Sequence, residues 1–315
     1  MPPLTRQRTP QSLHSEWSRN SLGATISIHA LAKPLMKVMY HRAVLDLIKR
    51  QRDIPLSVET MQIYISYLSG DNAVVVEGAC YALARISRDL DGAKAVVKAG
   101  ALETVQSLLI SPPAGVRRWT SKMLAELAFH PSMRRAVVTA EPCPQLVALL
   151  VDDNAVVVEE VCHALSHISH DMDGARAVVG AGGLEIVQHL LASQYTEIRR
   201  YTCLTLGRLA SHSSTRGVVV AAQPCPRLVA LLGDDNADTV EGAYYALSQI
   251  SRNLDGATAV VEAGALGTVQ NLFTSPPAGV RRWTSEMLVG LAFHPSTRGA
   301  VVAAQPCPQL VALLG

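Results

Sequence analysis

Residues 71–315 repeat themselves every 82 positions, and each 82-residue block repeats itself more weakly at 41. The long period is marked by the strings DNAVVVEGACYAL from Asp71, DNAVVVEEVCHAL from Asp153 and DNADTVEGAYYAL from Asp235. The short period appears when Val75 is laid on Val116. A unit of this length has too little interior to be stable alone, so it must bury its apolar side on the next unit. The repeat predicts stacked units rather than one globule, and it favours binding over catalysis.

Bulk charge gives no sign of a charged partner. The chain has 28 basic and 26 acidic residues, a net charge of +2, so we expect no nucleic-acid partner. No apolar run reaches the length of a membrane span, which predicts no direct membrane insertion. The N-terminus lacks a secretory apolar core, and Pro2 excludes N-myristoylation. These features predict a cytoplasmic protein, with the nucleus as the alternative.

The cysteines follow the repeat. They fall in two registers, Cys80, Cys162 and Cys203 in one and Cys143, Cys225 and Cys307 in the other. No pair has CxxC spacing, and equivalent positions of the long series lie too far apart for a disulfide. We therefore expect small buried thiols in a reducing compartment, with no metal and no other cofactor.

Composition and repeat divide the chain into three regions. Residues 1–27 are rich in Pro, Ser, Thr and Arg and are predicted to be a disordered tail. Residues 28–70 are predicted to be an N-terminal cap, a partial repeat with one helix over 31–50 and another from a cap at Ser57 to Leu68. Residues 71–315 are the repeats. Because the sequence stops after a second helix, we expect an apolar C-terminal edge that invites self-association, with a truncated chain as the alternative.

Each full unit is predicted to contain three helices, the first two of them short. In one unit, Asp91 and Gly92 turn the chain and a first helix covers 93–98. Gly100 then takes the left-handed conformation that a helix end requires, and a second helix covers 102–109.

The third helix of this unit is the longest. Pro113 is well placed to open it, and it is predicted to end near Phe129. Its inward-facing residues are Val116, Thr120, Leu124 and Leu127.

Two strings carry a family resemblance. AVVKAGALETVQSLL from Ala95 and AVVEAGALGTVQNLF from Ala259, each before a V-x7-L third helix, resemble armadillo repeats. The resemblance implies an all-α fold, a right-handed α-solenoid of about six three-helix units with an N-terminal partial cap. It also implies that the third helices line a concave groove for an extended peptide or partner protein.

Alternate units depart from the family pattern at the glycine between the first two helices. There the sequence reads Glu141-Pro142-Cys143-Pro144, with equivalents from Gln223 and Gln305. Proline is acceptable in the first turn of a helix, so we expect the fold to persist with a slightly different helix angle.

The predicted binding surface is the outward stripe of the third helices. If Val75, Val116 and their equivalents align, residues three, six, ten and thirteen positions further on share an exposed stripe. Aromatic side chains that alternate with long polar ones suit contact with an extended chain. The candidate residues are Tyr81, Arg85, Trp119, Lys122, Glu126, His163, His167, Tyr201, Arg208, Tyr245, Gln249, Trp283 and Glu286. The alternative is that these residues form a solvated face.

The stripe differs from that of importin-α-like members. Those carry Trp with Asn four residues later, whereas here the pairs include Tyr81 with Arg85 and Tyr245 with Gln249. A nuclear-import cargo receptor is therefore disfavoured. The remaining alternative is a membrane- or organelle-targeting adaptor similar to the vacuolar armadillo proteins, although this chain lacks the acylation signals that those use.

Two polar groups could have special roles. His163, His167 and His170 are spaced along one helix face, where they could hold a metal if a third ligand were present, or lower one another's pKa values as a pH-sensitive patch. Arginine pairs open alternate third helices against the helix dipole, at 117–118, 199–200 and 281–282. Acidic side chains of the preceding unit are their expected partners, with an acidic ligand as the alternative.

Catalytic motifs are missing from the sequence. It has no phosphate-binding Gly loop and no nucleophile elbow, and its His and Cys residues recur with the repeat. We predict a non-catalytic scaffold or adaptor for protein–protein interaction.

Overall fold

Helices form every regular element of the part of the chain that the structure describes. The computed structural model describes residues 58–271 and 277–304. Its helices are α1 (Val58–Leu68), α2 (Ala73–Ile86), α3 (Leu90–Lys98), α4 (Val105–Leu109), α5 (Ala114–Phe129), α6 (Pro131–Thr139), α7 (Cys143–Ala148), α8 (Ala155–Ile168), α9 (Met172–Gly180), α10 (Gly183–Leu190), α11 (Thr196–Ser211), α12 (Ser213–Ala221), α13 (Cys225–Ala230), α14 (Ala237–Ile250), α15 (Leu254–Glu262), α16 (Ala278–Phe293) and α17 (Pro295–Ala303). Short 3-10 segments cover Ala101–Thr104, Leu149–Val151, Leu231–Gly233 and Ala265–Asn271.

Some predictions fall outside this part. The tail over 1–27, the cap helix over 31–50, the cap residue Ser57 and the C-terminal edge are not among the described residues. The second cap helix, α1, ends at Leu68 as predicted.

The third helices are α2, α5, α8, α11, α14 and α16, which begin 41 residues apart. Their lengths alternate between 14 and 16 residues, which gives the 82-residue period a structural origin. The shorter ones begin at an asparagine cap; for example, the Asn154 side chain accepts a hydrogen bond from the N–H of Val156 at 3.0 Å.

The longer third helices end at a histidine that also begins the next helix. His130 follows α5, and its Nε2 donates to the carbonyl of Ser87 at the end of α2, 3.0 Å away. His212 makes the same contact with the carbonyl of Ser169. These bonds hold together the C-terminal ends of neighbouring third helices.

Helix α3, which was predicted over 93–98, begins earlier than predicted. Asp89 caps α3 by accepting hydrogen bonds from the N–H groups of Asp91 and Gly92. Asp91 and Gly92 therefore lie in the first turn of the helix, and the expected turn at these residues was wrong. Glycine is required there because a Cβ on Gly92 would overlap the carbonyl of Ile86. The predicted second helix over 102–109 is also divided, into a 3-10 turn followed by α4.

A left-handed residue separates the first two helices of each described unit. Gly100, Gly182 and Gly264 have φ angles of 89°, 77° and 84°, as predicted for the glycine position. In the alternate units Glu141 and Gln223 take the same conformation, with φ of 51° and 54°. The fold thus persists without glycine, although a non-glycine residue here costs about 1–2 kcal/mol.

The core is a continuous contact between third helices. Val116, Thr120, Leu124 and Leu127 are fully buried in α5, which confirms the predicted inward face. Each third helix packs on the next one, from α2 to α16. Since full burial of a leucine contributes about 1.5–3 kcal/mol, neighbouring units supply most of one another's stability.

Ion pairs join the start of a third helix to the loop before the next one. Arg117 Nε lies 2.7 Å from Asp152 Oδ2, and Arg199 Nε lies 2.7 Å from Asp234 Oδ2. The acidic partners come 35 residues later in the chain, in the loop before the following third helix, and not from the preceding unit as expected. Ion pairs within the chain therefore account for Arg117 and Arg199, each of which is the first arginine of an Arg-Arg sequence.

These carboxylates are stabilised in their charged form. Burial acts to raise the pKa of Asp234, but the hydrogen bonds from Arg199 and from the N–H of Asn236 outweigh it. The pKa of Asp234 therefore lies below its ordinary value, and Asp152 behaves in the same way with Arg117 and Asn154.

The left-handed position can be tested with two glycines that are two residues apart. Gly180 ends helix α9 and Gly182 has positive φ, and a Cβ on either would meet no atom within 4 Å. Gly182→Ala should lower the free energy of unfolding by about 1 kcal/mol, because alanine is strained at positive φ. Gly180→Ala should raise it by about 0.5–1 kcal/mol. Urea unfolding followed by circular dichroism measures both, and shifts of the same sign would contradict the assignment.

Asp234→Asn tests the ion pairs through pH. A carboxylate with a lowered pKa in the folded state contributes stability above its unfolded pKa, and this contribution is lost as pH falls through the folded pKa. The variant should therefore unfold at lower urea than the parent at pH 7, and the difference should shrink towards pH 3. Asp91→Asn, at a solvent-exposed pair with Lys94, is the control and should change little at either pH. An Asp234→Asn effect of equal size at both pH values would show that the charge is not responsible.

Candidate functional site

The predicted stripe forms one surface along the third helices, which we call the third-helix face. It comprises the thirteen candidate residues of the sequence analysis with Glu160, His170 and the second arginine of each pair. Neighbouring third helices touch through these side chains, so most are half-buried rather than exposed. Arg208 and Gln249 are buried, as is Glu160. The expectation of an exposed stripe was wrong for most of these residues, because the next unit partly covers their side chains.

Aromatic rings pair between adjacent third helices. Tyr81 meets Trp119 edge to face with ring centroids 4.6 Å apart, and Tyr245 meets Trp283 at 4.7 Å. In the middle block His163 stacks on Tyr201 at 4.4 Å. These aromatic residues therefore have partners, which fix their orientation and leave part of each ring accessible.

The second arginine of each pair covers one of these rings. The guanidinium carbon of Arg118 lies 4.4 Å from the ring centroid of Trp119, and Arg282 lies 4.4 Å from that of Trp283. Arg200 covers Tyr201 at 5.0 Å. Such cation–π contacts contribute about 0.5–1 kcal/mol each at accessible sites.

Sequence reasoning missed that the charge at the position of the second arginine alternates from unit to unit. Residues 41 apart are alternately acidic and basic: Glu77, Arg118, Glu159, Arg200, Glu241 and Arg282. Glu77 and Glu241 lie so close to the start of the next third helix that a Cβ on Gly115 or Gly279 would overlap their carboxylates. Negative charge is favourable at a helix N-terminus. Laying the repeats on one another would have revealed the alternation.

The middle of the face holds a compensated polar cluster. Lys122 Nζ lies 3.2 Å from Glu160 Oε2 and 3.6 Å from Glu126 Oε1, and Arg88 Nε lies 3.5 Å from Glu126 Oε1. Burial acts to raise the pKa of Glu160, but hydrogen bonds from His163 and Lys122 outweigh it and the pKa is lowered. The charges here satisfy one another within the chain.

Two histidines of this face, His167 and His170, are held neutral. Burial, followed by the positive charge of Arg208, lowers the pKa of His167 to about 2 and that of His170 to about 3. The neighbouring imidazoles contribute less than either cause at His167. These two residues therefore do not change charge at physiological pH, and the pH-sensitive patch is not realised through them. In the described residues, no three His, Cys, Asp or Glu side chains come together as metal ligands would.

One pocket opens on this face between α11, α14 and α16. Its volume is about 340 Å³, and its lining includes His170, Arg200, Arg208, Glu241, Tyr245 and Trp283. The ring of Tyr245 packs directly on Gly207, where a Cβ would overlap it. Gly242 leaves open the position that aromatic residues occupy in the flanking third helices.

The fold resembles engineered and designed repeat proteins. No protein-family model matches the chain. One engineered protein from the Northeast Structural Genomics Consortium is 26% identical, with a TM-score of 0.78 over 92% of this chain and 72% of its own. A second from the same consortium is 27% identical, with a TM-score of 0.70 over 73% of this chain and 95% of its own.

Designed armadillo repeat proteins show the same likeness. One, in complex with the peptide (KR)4, is 21% identical with a TM-score of 0.68 over 73% of this chain and 98% of its own. The 41-residue spacing of three helices per unit and the left-handed residue between the first two agree with this match. The chain therefore has an armadillo-like repeat fold, an all-α solenoid.

Proposed function

We propose that the third-helix face binds an extended peptide, or an extended segment of a partner protein, and that the chain acts as a non-catalytic scaffold or adaptor. The observation that carries the proposal is the regular series of aromatic pairs on successive third helices, Tyr81 with Trp119, His163 with Tyr201 and Tyr245 with Trp283. Large, oriented aromatic surfaces beside cationic side chains are typical of the energetically dominant part of protein interfaces.

The spacing of the face suits an extended chain. Packed helices lie about 8–10 Å apart, and an extended chain advances about 3.3 Å per residue, so one unit spans about two to three residues of a ligand. Each unit can then contact one or two side chains while the ligand backbone runs across the helices. A repeated ligand-contact pattern follows from the repeated sequence.

Designed armadillo repeat proteins of similar fold support the proposal that the chain binds a peptide. One is a complex with the peptide (KR)4, and another was designed for modular peptide recognition. The peptide that this chain prefers depends on its own third-helix face. The preference is set by Trp119, Tyr201, Trp283 and the polar residues beside them.

The described thiols favour binding over catalysis. Burial raises the pKa of Cys80 and Cys225 to about 11 and that of Cys143 and Cys162 to about 12. A thiol of this kind stays protonated at neutral pH and is a poor nucleophile. These cysteines pack as small apolar residues, as the repeat registers predict.

None of the described helices has the length and apolar character needed to span a bilayer. A cytoplasmic or nuclear location is part of the proposal and follows from the charge and cysteine usage of the sequence.

Selection of peptides from a random display library provides a ligand for the test. Replacing Trp119, Tyr201 and Trp283 together by alanine should weaken binding of the selected peptide at least 100-fold, because interface aromatics each contribute about 1–2 kcal/mol or more. Fluorescence anisotropy with the labelled peptide measures the dissociation constant, and circular dichroism shows whether helicity is retained.

Tyr195→Ala is the matched control. Tyr195 is a half-exposed aromatic that precedes α11 and lies outside the third-helix face. This variant should bind the peptide as the parent does. Unchanged binding by the triple variant, or equal loss in Tyr195→Ala, would place the binding surface elsewhere.

A further inference from the structure

Arg208 is a buried cation for which the described residues provide no counter-ion. The residue is 9% exposed, and its Nε and Nη1 are buried without a hydrogen-bond partner. It lines the pocket between α11, α14 and α16. A buried charge costs several kcal/mol unless an opposite charge or hydrogen bonds compensate it.

Three other polar residues at this position of the third helices have polar or charged partners. Glu126 lies near Lys122 and Arg88, and Gln249 donates to the hydroxyl of Ser248 at 3.2 Å. Arg85 donates to the hydroxyl of Tyr81 at 3.3 Å.

The two carboxylates that line the pocket are already engaged. Asp238 Oδ2 lies 3.6 Å from Arg200 Nε, and Glu241 lies against the N-terminus of α16 at Gly279. The charges that act on Arg208 include Arg134 and Arg200, both positive. Burial and these charges lower the pKa of Arg208 to about 10, so it remains a cation at neutral pH.

The equivalent positions 82 residues earlier in the chain carry acidic side chains. There Glu160 occupies the position equivalent to Gly242, and its buried carboxylate pairs with Lys122 at 3.2 Å. Glu126 stands where the pocket has Arg208. The earlier site therefore carries its own carboxylates, whereas the later one has gained a cation and lost the acidic side chain that filled the space.

We propose that this pocket receives the carboxylate of a glutamate or aspartate side chain of the bound peptide, with Arg208 as its charged partner and Tyr245 and Trp283 as its walls. The inference rests on the proposed function and adds that the peptide is acidic at one position. The ligand carboxylate takes the place that Glu160 fills in the earlier block. Arginine pairs with the two oxygens of a carboxylate through parallel hydrogen bonds, which gives position as well as affinity.

A random 12-residue peptide library selected against the whole chain tests this inference. Peptides enriched on the parent should share Asp or Glu at one position, and this preference should vanish with Arg208→Gln. A synthetic peptide from the selection should lose about tenfold or more in affinity when that residue is replaced by Gln or Asn. Arg176→Gln, which removes one positive charge from an exposed side chain of α9, is the matched control and should keep the preference.

Taken together, the outcomes distinguish failure of the inference from failure of the proposed function. Enriched peptides without an acidic preference, or a preference that survives Arg208→Gln, would overturn the inference and leave peptide binding intact. Failure to enrich any peptide would overturn both. Inorganic phosphate that binds the parent with Arg208 dependence, while the acidic and amide peptides bind equally, would show that the pocket takes free anions and would also overturn the proposal.

The stability of the variant provides a second readout. Removing a buried charge that has no internal partner should leave Tm unchanged or raise it. A clear fall in Tm would reveal an internal partner for Arg208 and contradict the inference. If Arg208→Gln does not fold, Arg208→Met, which is neutral and unbranched, takes its place in the peptide experiment.

Discussion

The packing of each third helix on the next determines how the other elements of the fold are arranged. The buried residues of α5, from Val116 to Leu127, have no core of their own and are covered by neighbouring helices. This requirement fixes the distance between units, and through it the spacing of side chains on the opposite surface. The third-helix face is regular because the core behind it is regular.

The same packing explains how the face acquires its chemistry. Where neighbouring third helices touch, their side chains contact those of the next unit. Tyr245 and Trp283 are therefore oriented by contact with each other. Between α5 and α8, Lys122 and Glu160 compensate each other's charge. Where Gly242 replaces an acidic side chain, a pocket opens beside Arg208. Sequence differences between copies of one unit thus turn a contact between neighbouring third helices into a candidate binding site.

The repeat alone predicted the helices well. Spacing and the Gly100 position predicted the third helices and the left-handed residue, because both depend on local backbone preferences. The cap at Asp89 was missed because Asp91 and Gly92 resemble a turn until the side-chain hydrogen bonds are seen. The partner of Arg199 lies 35 residues away, and the burial of Arg208 depends on the next unit. Neither relation has a local signal in the sequence.

A crystal structure of the chain with a peptide from the display selection would show whether the third-helix face binds an extended acidic peptide. The peptide is expected to cross α11, α14 and α16 in extended form, with one of its carboxylates within hydrogen-bond distance of the Arg208 guanidinium. A peptide bound to the first helices, such as α9 or α12, would contradict the account.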